Sequence, residues 1–240
     1  MNFNSKTTAK EIALSDPSAR HILDDAGIDY CCNGEQSLQE ACLASRVSEA
    51  EILSRLRQSG ERLTSGESEW VSAPLAELTK HIRECHHQYV RDSIPRLSAL
   101  LAKIRVKHGI SHPELDEIGR LFGNVAREML MHMQKEEQIL FPFIDALERA
   151  ANGNGKIEPP FFQTVKNPIQ VMMKEHDSAG QLMREIRIAS KGYQASGSCT
   201  SYQAAYQGLE EFEKNLHLHV HLENNILFPR ALKLETAVTA

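Results

Sequence analysis

Long hydrophobic runs are missing from this sequence of 240 residues. No stretch of about 18 consecutive apolar residues occurs, so the sequence predicts no transmembrane helix. The N-terminal stretch MNFNSKTTAKEIALSD lacks the apolar segment of a secretory signal. A basic excess is also missing, because 27 Lys and Arg face 32 Asp and Glu, for a net charge of −5. Nucleic acid is therefore not expected as a partner.

Cysteine and β-strand signals are sparse as well. The five cysteines are odd in number and irregular in spacing, so a disulfide framework is not expected and the predicted location is the reducing cytoplasm. Runs that alternate apolar and polar residues are almost absent, whereas helix caps and helical periodicity recur along the chain. The expected fold class is therefore all-α.

Residues 1–62 are predicted to form a small helical N-terminal domain. Three Ser/Thr-x-x-Glu capping boxes indicate helix starts, at Thr8, Ser37 and Ser48. Residues 29–34 predict a turn between helices, and this turn carries the vicinal pair Cys31 and Cys32. The polar residues 59–68 predict a linker to the rest of the chain.

Residues 72–235 are predicted to form an up-down-up-down four-helix bundle. The expected helices are 74–107, 113–150 with an interruption at Pro142, 167–192, and 200 to Pro229. Short loops between long helices favour antiparallel neighbours.

An internal repeat relates the two halves of this bundle. The segments HMQKEEQILFP (132–142) and HVHLENNILFP (219–229) share the pattern H-x3-E-x2-I-L-F-P. The preceding helix of each half carries one further histidine, His87 in the first half and His176 in the second. The bundle is therefore expected to contain two copies of one helical hairpin.

The repeated pattern places metal-binding groups on one face of each helix. Residues four apart on a helix lie one above the other, separated by a rise of about 6 Å. Two facing H-x3-E helices therefore direct two imidazoles and two carboxylates into the interior, where a cation offsets the cost of buried charge. The predicted metal ligands are His87, His132, Glu136, His176, His219 and Glu223.

The donor set also restricts the metal. Four imidazoles and two carboxylates are too many for one tetrahedral zinc ion, and they suit a pair of iron or manganese ions with bridging carboxylates. If each metal takes two His, both Glu and an oxo or hydroxo bridge, one position stays open. A small ligand such as O2 or NO is expected to bind there.

The other histidines and acidic neighbours have a simpler interpretation. A histidine on a helix is more often a core or surface residue than a ligand, and this interpretation applies to His21, His81, His108 and His112. His86 lies about 100° round the helix from His87, and His87 is favoured as the ligand because its match to His176 restores the repeat. His217 and His221 point about 160° away from His219 and are expected to be exposed. Glu137 and Glu175 adjoin ligands but are expected to point elsewhere, and a supporting role behind the ligands stays open.

The vicinal cysteines allow two interpretations. A disulfide between neighbouring residues is strained, so free thiols are expected. Cys31 and Cys32 either are exposed thiols with a redox or iron-handling role, or include one buried and inert thiol. The sequence does not decide between these alternatives.

Five segments together resemble the repair-of-iron-centres family of hemerythrin-like di-iron proteins. They are DYCCNG (29–34), SAPLAE (72–77), MHMQKEEQILFP (131–142), EHDSAG (175–180) and LENNILFPR (222–230). The resemblance covers almost the whole chain and implies a Cys-Cys domain joined to a hemerythrin-like bundle. It implies two iron ions on the six ligands named above, with both Glu bridging. Oxygen-carrying hemerythrins look to carry five His, so four imply a more open iron site.

The resemblance also implies a function. The family is implicated in repairing iron–sulfur clusters damaged by oxidative or nitrosative stress, so damaged iron–sulfur proteins are the expected partners and iron donation the expected route. Two alternatives remain, an enzyme that reduces NO to nitrous oxide, and a non-catalytic carrier or sensor of O2 or NO. A homodimer is expected, because a helical domain of about 60 residues is marginally stable alone.

Overall fold

The computed structural model describes residues 3–15, 17–59, 68–155, 157–195 and 199–239. Within these ranges the chain is helical and contains no strand, only an isolated bridge between Thr8 and Ser37. The all-α prediction is therefore confirmed. Across the same ranges, no helix combines the length and apolarity needed to cross a bilayer. The predicted linker lies largely outside the described residues, at 60–67.

Four short helices form the N-terminal region. They are α1 (Ala9–Ser15), α2 (Pro17–Asp25), α3 (Leu38–Ser45) and α4 (Glu49–Ser59). The capping boxes at Thr8 and Ser37 each make both reciprocal bonds, whereas the box at Ser48 makes only the bond to the Glu51 N–H. These caps satisfy backbone donors that a helix start otherwise leaves unpaired, so they define where α1 and α3 begin.

Four long helices form the predicted bundle, after a short helix α5 (Ser68–Ser72). The first bundle helix contains α6 (Leu75–His81), π1 (Ile82–His87) and α7 (Gln88–His108). The second contains α8 (Glu114–Lys135), π2 (Glu136–Leu140) and α9 (Phe141–Ala151), and the third is α10 (Lys166–Ala189). The fourth contains α11 (Thr200–His221), π3 (Leu222–Leu227) and α12 (Phe228–Thr239). Along the bundle, α7 packs on α8, α8 on α10, α10 on α11, and α11 on α7.

The second and fourth helices continue past their prolines. The predicted end at Pro229 is therefore wrong. The predicted interruption near Pro142 takes the form of the π-helical segment π2 and not of a break in the helix. In π2 the N–H of Phe141 donates to the carbonyl of Glu136, five residues back, and the same bond recurs in π3 between Phe228 and Glu223. After this shift in bonding, α9 begins at Phe141 and α12 begins at Phe228, so each proline lies in the first turn of a helix. Backbone N–H groups in a first turn have no partner within the helix, so the N–H that proline lacks costs no hydrogen bond there.

Two apolar cores lie on either side of a polar layer. The first core joins the N-terminal region to one end of the bundle, for example through Leu23, Met183 and Leu216. The second core fills the other end and includes Phe141 and Phe228. The polar layer consists of His87, His132, Glu136, His176, His219 and Glu223. Because the N-terminal region and the bundle share the first core, the division into domains 1–62 and 72–235 stays a prediction.

We expect Phe212→Ala to destabilise the fold by about 3–5 kcal/mol, because truncation of a buried aromatic ring leaves a cavity. Phe212 is 0% exposed and its ring contacts Phe122 and Tyr89. Urea unfolding measures the change. Val106→Ala is the control, since Val106 is 87% exposed and its truncation should cost less than about 0.5 kcal/mol. Equal effects of the two variants would contradict this account of the first core.

Candidate metal centre

The six predicted ligand side chains meet inside the bundle. All four bundle helices contribute, and none of the six residues is more than 1% exposed. The ligand residues of the four helices therefore lie at the same height along the bundle, as the spacing of the repeat predicts. The six side chains form two groups, each with its ligand atoms within 4.8 Å of one another.

The first group contains His87 and His219. The two Nε2 atoms lie 3.3 Å apart. Nε2 of His87 is 3.4 Å from Oε2 of Glu136, and Nε2 of His219 is 3.0 Å from Oε1 of Glu223. Two imidazole nitrogens and two carboxylates therefore face one point between the first and fourth helices.

The second group contains His132 and His176 with the same two carboxylates. Here the Nε2 atoms lie 3.0 Å apart. Oε2 of Glu136 is 3.3 Å from His132, and Oε2 of Glu223 is 3.0 Å from His176. Glu223 thus directs one oxygen to each histidine pair, and Glu136 lies between the pairs. The tertiary structure assigns the pairing of the histidines, which the sequence leaves open.

The carboxylate oxygens have the environment of a cation site. Both oxygens of Glu136 and Oε2 of Glu223 are buried without a hydrogen-bond partner among the described residues. A buried carboxylate without such a partner is costly unless a cation compensates it. Imidazole nitrogens and carboxylate oxygens are also the donors that iron accepts in helical bundles. The residues present therefore fit a metal centre.

Three of the ligands lie in π-helical segments. His87 ends π1, Glu136 begins π2, and Glu223 is the second residue of π3. In each segment a backbone N–H bonds to a carbonyl five residues back, which widens the turn. Such segments recur at functional sites because they re-aim side chains within an otherwise regular helix.

The metal-free cluster shares protons between its acids and bases. Burial opposes the charged form of His132, yet Glu136 and the other carboxylates raise the pKa of His132 to about 10. Burial likewise opposes ionisation of Glu223, but His219 and His176 hold its pKa well below the usual range. The imidazolium of His132, beside Glu136, therefore offsets part of the buried negative charge that a cation would otherwise balance.

Two outer carboxylates orient ligands, which is more than the sequence led us to expect. Nδ1 of His87 donates to Glu137 at 2.6 Å, and Nδ1 of His132 donates to Glu175 at 3.0 Å. Arg91 holds Glu137 with two bonds of 2.7 Å, and Lys135 holds Glu175. Such partners fix the ring so that Nε2 faces the metal.

The two remaining ligands have different surroundings. Nδ1 of His176 pairs with Oδ1 of Asn224 at 2.9 Å. Nδ1 of His219 has no hydrogen-bond partner among the described residues, and the ring stacks on His86 with centroids 5.8 Å apart. Burial keeps His86 neutral by lowering its pKa to about 3.

The internal repeat explains these outer partners. The sequence left a supporting role open for Glu137 and Glu175, and it did not identify Asn224 and His86. Glu137 and Asn224 each follow a candidate bridging glutamate, and each contacts the histidine of the preceding helix in its own half. Glu175 and His86 each precede a ligand histidine, and each contacts the H-x3-E histidine of the other half. Alignment of the two halves was the signal that could have found all four residues.

His217 and His221 are covered rather than exposed, so the prediction for them is wrong. His221 is 1% exposed, and the side chain of His217 is 12% exposed. The N-terminal region packs on this face, where Asp24 contacts His217 at 3.2 Å and the ring of Tyr30 lies 5.5 Å from that of His221. Helical periodicity within the bundle could not anticipate a second layer of helices.

The Cys turn, residues 29–34, lies beside the polar layer. Cys31 is buried, Cys32 is half-buried, and their Sγ atoms are 3.9 Å apart. Contact with Cys32 and burial raise the pKa of the Cys31 thiol well above its usual range. A side-chain oxygen of Asp29 accepts from the backbone N–H of both cysteines, and these three residues could together hold a metal ion. A reactive or iron-handling role for the pair stays a prediction.

Two families match different parts of the chain. The family described as hemerythrin HHE cation binding domain matches residues 78–231. The family described as a domain of unknown function, DUF542, matches residues 5–59. The first match spans all six candidate ligands and the second spans the Cys turn.

Curated relatives match the chain over nearly its full length. The iron-sulfur cluster repair protein YtfE of Citrobacter koseri is 34% identical over 223 residues, covering 92% of this chain and 94% of the relative. The protein of the same name from Escherichia coli O8 gives the same figures. The probable iron-sulfur cluster repair protein of Haemophilus influenzae is 34% identical over 224 residues, covering 92% and 95%. The similarity therefore includes both the N-terminal region and the bundle.

Addition of ferrous iron to the metal-free protein at pH 7 is expected to release protons. With a pKa of about 10, His132 carries a proton at this pH, and a metal ion takes the lone pair that holds it. Because the pKa is raised, the release should persist below pH 10 and decline as the pH rises through that value. Calorimetry in buffers of different ionisation enthalpy measures the proton number, and binding without release would contradict the proposed charge balance.

Proposed function

Because the chain belongs to the hemerythrin-like family of iron–sulfur cluster repair proteins, we propose that it holds two iron ions in the polar layer and uses them to repair damaged iron–sulfur clusters. The observation that carries this proposal is the arrangement of two histidine pairs around two shared carboxylates. One iron would be held by His87 and His219, the other by His132 and His176, with Glu136 and Glu223 between them.

The bound irons supply redox chemistry and exchangeable metal. The chain's own residues orient the donors and exclude water. Glu137 and Glu175 take the Nδ1 protons of His87 and His132, so the Nε2 lone pairs face inward. The apolar cores on both sides keep the carboxylates away from bulk solvent, which strengthens their interaction with a cation. Iron bound through few ligands in such a layer is suited to donation toward a damaged cluster.

NO reduction is the second candidate function, and the small donor set favours it. Each group of the polar layer contains two imidazoles and two shared carboxylates. Within the described ranges, neither group contains a third imidazole. Two neighbouring metal positions open to a small ligand would bring two NO molecules together. Reduction of two NO molecules to nitrous oxide and water consumes two electrons and two protons, and two ferrous ions in the polar layer would supply the electrons. Anaerobic samples loaded with ferrous iron and then given NO separate the alternatives, since nitrous oxide in the headspace supports an enzyme and retained NO without gas supports a carrier or sensor.

Further properties of the protein belong to the same proposal. We infer a cytoplasmic location, since the five cysteines, all within the described ranges, are free thiols. Residues 1–62 and 72–235 are proposed as two domains that share one core. The homodimer stays a prediction, and packing on the bundle already gives the N-terminal region stabilising contacts within one chain. Damaged iron–sulfur proteins are the proposed partners.

The purified protein is expected to contain two irons per chain, and Glu136→Ala is expected to lower that number. Loss of one shared carboxylate removes a ligand from both histidine groups at once. Iron analysis with Mössbauer spectroscopy measures both the content and the coupling of the irons. Glu84→Ala is the matched control, since Glu84 lies in π1 with its side chain 65% exposed. Full iron content in Glu136→Ala would contradict the bridging role.

Iron-loaded protein is expected to restore activity to a hydratase whose iron–sulfur cluster has been damaged by peroxide. The reason is that the protein delivers iron held in the polar layer rather than iron free in solution. Recovery is measured against the same amount of ferrous salt, with Glu84→Ala as the active control and Glu136→Ala as the impaired variant. Recovery no greater than that given by the salt would refute the repair function.

A further inference from the structure

Asn224 lies between the candidate metal centre and the Cys turn. The residue is 9% exposed and lies in π3, directly after Glu223. Its side chain pairs with Nδ1 of His176 at 2.9 Å and with the backbone carbonyl of Cys31 at 3.1 Å. One amide group thus joins a candidate ligand to the N-terminal region.

The chemistry of this contact fixes the proton on His176. A backbone carbonyl only accepts hydrogen bonds, so the NH2 group of Asn224 must face Cys31. Oδ1 then faces His176, and because an amide oxygen only accepts, Nδ1 of His176 must carry the proton. Nε2 is left with a free lone pair directed at the polar layer, which is the form that binds metal.

The first half of the repeat shows why an amide is needed. The equivalent position there is Glu137, whose carboxylate accepts from His87 and is held by the cation Arg91. A carboxylate at position 224 would face the carbonyl of Cys31, and two acceptors repel each other. Asparagine can accept from the imidazole and donate to the carbonyl at once.

Other contacts hold the Cys turn in this position. Asn225 donates to the carbonyl of Tyr30 at 3.1 Å, and Arg184 of α10 pairs with Asp29 at 3.1 Å. The Sγ atom of Cys32 lies close to Gly180, one helical turn from His176. The Cys turn therefore packs on the helix that carries His176 and on the segment that carries Glu223.

We propose that Asn224 is a positioning residue that couples docking of the Cys turn to metal binding by His176. The proposal rests on the proposed function, since it requires that His176 binds iron. With the turn docked, the amide is fixed and His176 presents Nε2 to the metal. With the turn undocked, the amide can rotate and the restraint on the imidazole is lost. Because coupling between two sites is reciprocal, bound metal also stabilises the docked turn.

Hydrogen exchange of the wild-type protein tests the reciprocal effect. Amide exchange of residues 30–33 is measured by mass spectrometry in full-length protein, metal-free and loaded anaerobically with ferrous iron. Iron is expected to slow exchange in this segment. Unchanged exchange in protein that has bound two irons would overturn the proposal and leave the proposed function intact.

Two substitutions separate the two bonds of Asn224. Asn224→Leu removes both, so iron loss to a chelator should be about 10–100-fold faster than in the wild type. Exchange at residues 30–33 should then no longer respond to iron. Asn224→Asp keeps an acceptor for His176 but repels the carbonyl of Cys31, so the turn should exchange faster while iron loss changes less. Circular dichroism reports whether each variant keeps its helices.

Glu175→Gln is the matched control for these variants. Glu175 contacts His132 from within the bundle and makes no contact with the Cys turn among the described residues. The control should lose iron faster than the wild type, yet iron should still slow exchange at residues 30–33. A wild-type response in Asn224→Leu would overturn the proposal. If the wild type binds no iron, the proposed function fails. Equal exchange at residues 30–33 in metal-free wild type and metal-free Asn224→Leu would show that Asn224 does not hold the Cys turn, which also overturns the proposal.

Discussion

Two carboxylates buried between apolar cores set the main constraint on this structure. Glu136 and Glu223 lie inside the bundle with three of their oxygens lacking a hydrogen-bond partner among the described residues. Burial at this depth is unfavourable for an anion unless positive charge or a metal compensates it. The four surrounding imidazoles, the π-helical segments that aim the ligands, and the outer partners that orient the rings all follow from this requirement. The apolar ends of the bundle supply the stability that the polar layer does not.

The repeat gives the site approximate twofold symmetry, and its departures from symmetry are chemical. Behind His87 and His132, the outer partners Glu137 and Glu175 are carboxylates tied to Arg91 and Lys135 at the surface. Behind His176 and His219, the equivalent positions hold the neutral residues Asn224 and His86. A carboxylate behind an imidazole makes the ligand more basic, whereas a neutral partner does not. Each histidine pair therefore combines one ligand with a charged outer partner and one without.

The N-terminal region is part of the environment of the site. It shares the first core with the bundle, covers His217 and His221, and contacts the polar layer through Asn224. The Cys turn is consequently close to the fourth bundle helix although nearly 200 residues separate them in sequence. The N-terminal region therefore belongs to the surroundings of any ion held in the polar layer.

The sequence by itself determined the all-α fold, the four bundle helices and the six residues of the polar layer, because a four-residue spacing fixes which side chains share a helix face. It could not determine where the helices end, since π2 and π3 absorb Pro142 and Pro229 through a change in backbone bonding. The pairing of the histidines, the roles of Glu137, Asn224, Glu175 and His86, and the burial of His221 were decided only by tertiary structure. Each of these depends on which helices lie side by side, and periodicity within one helix carries no information about its neighbours.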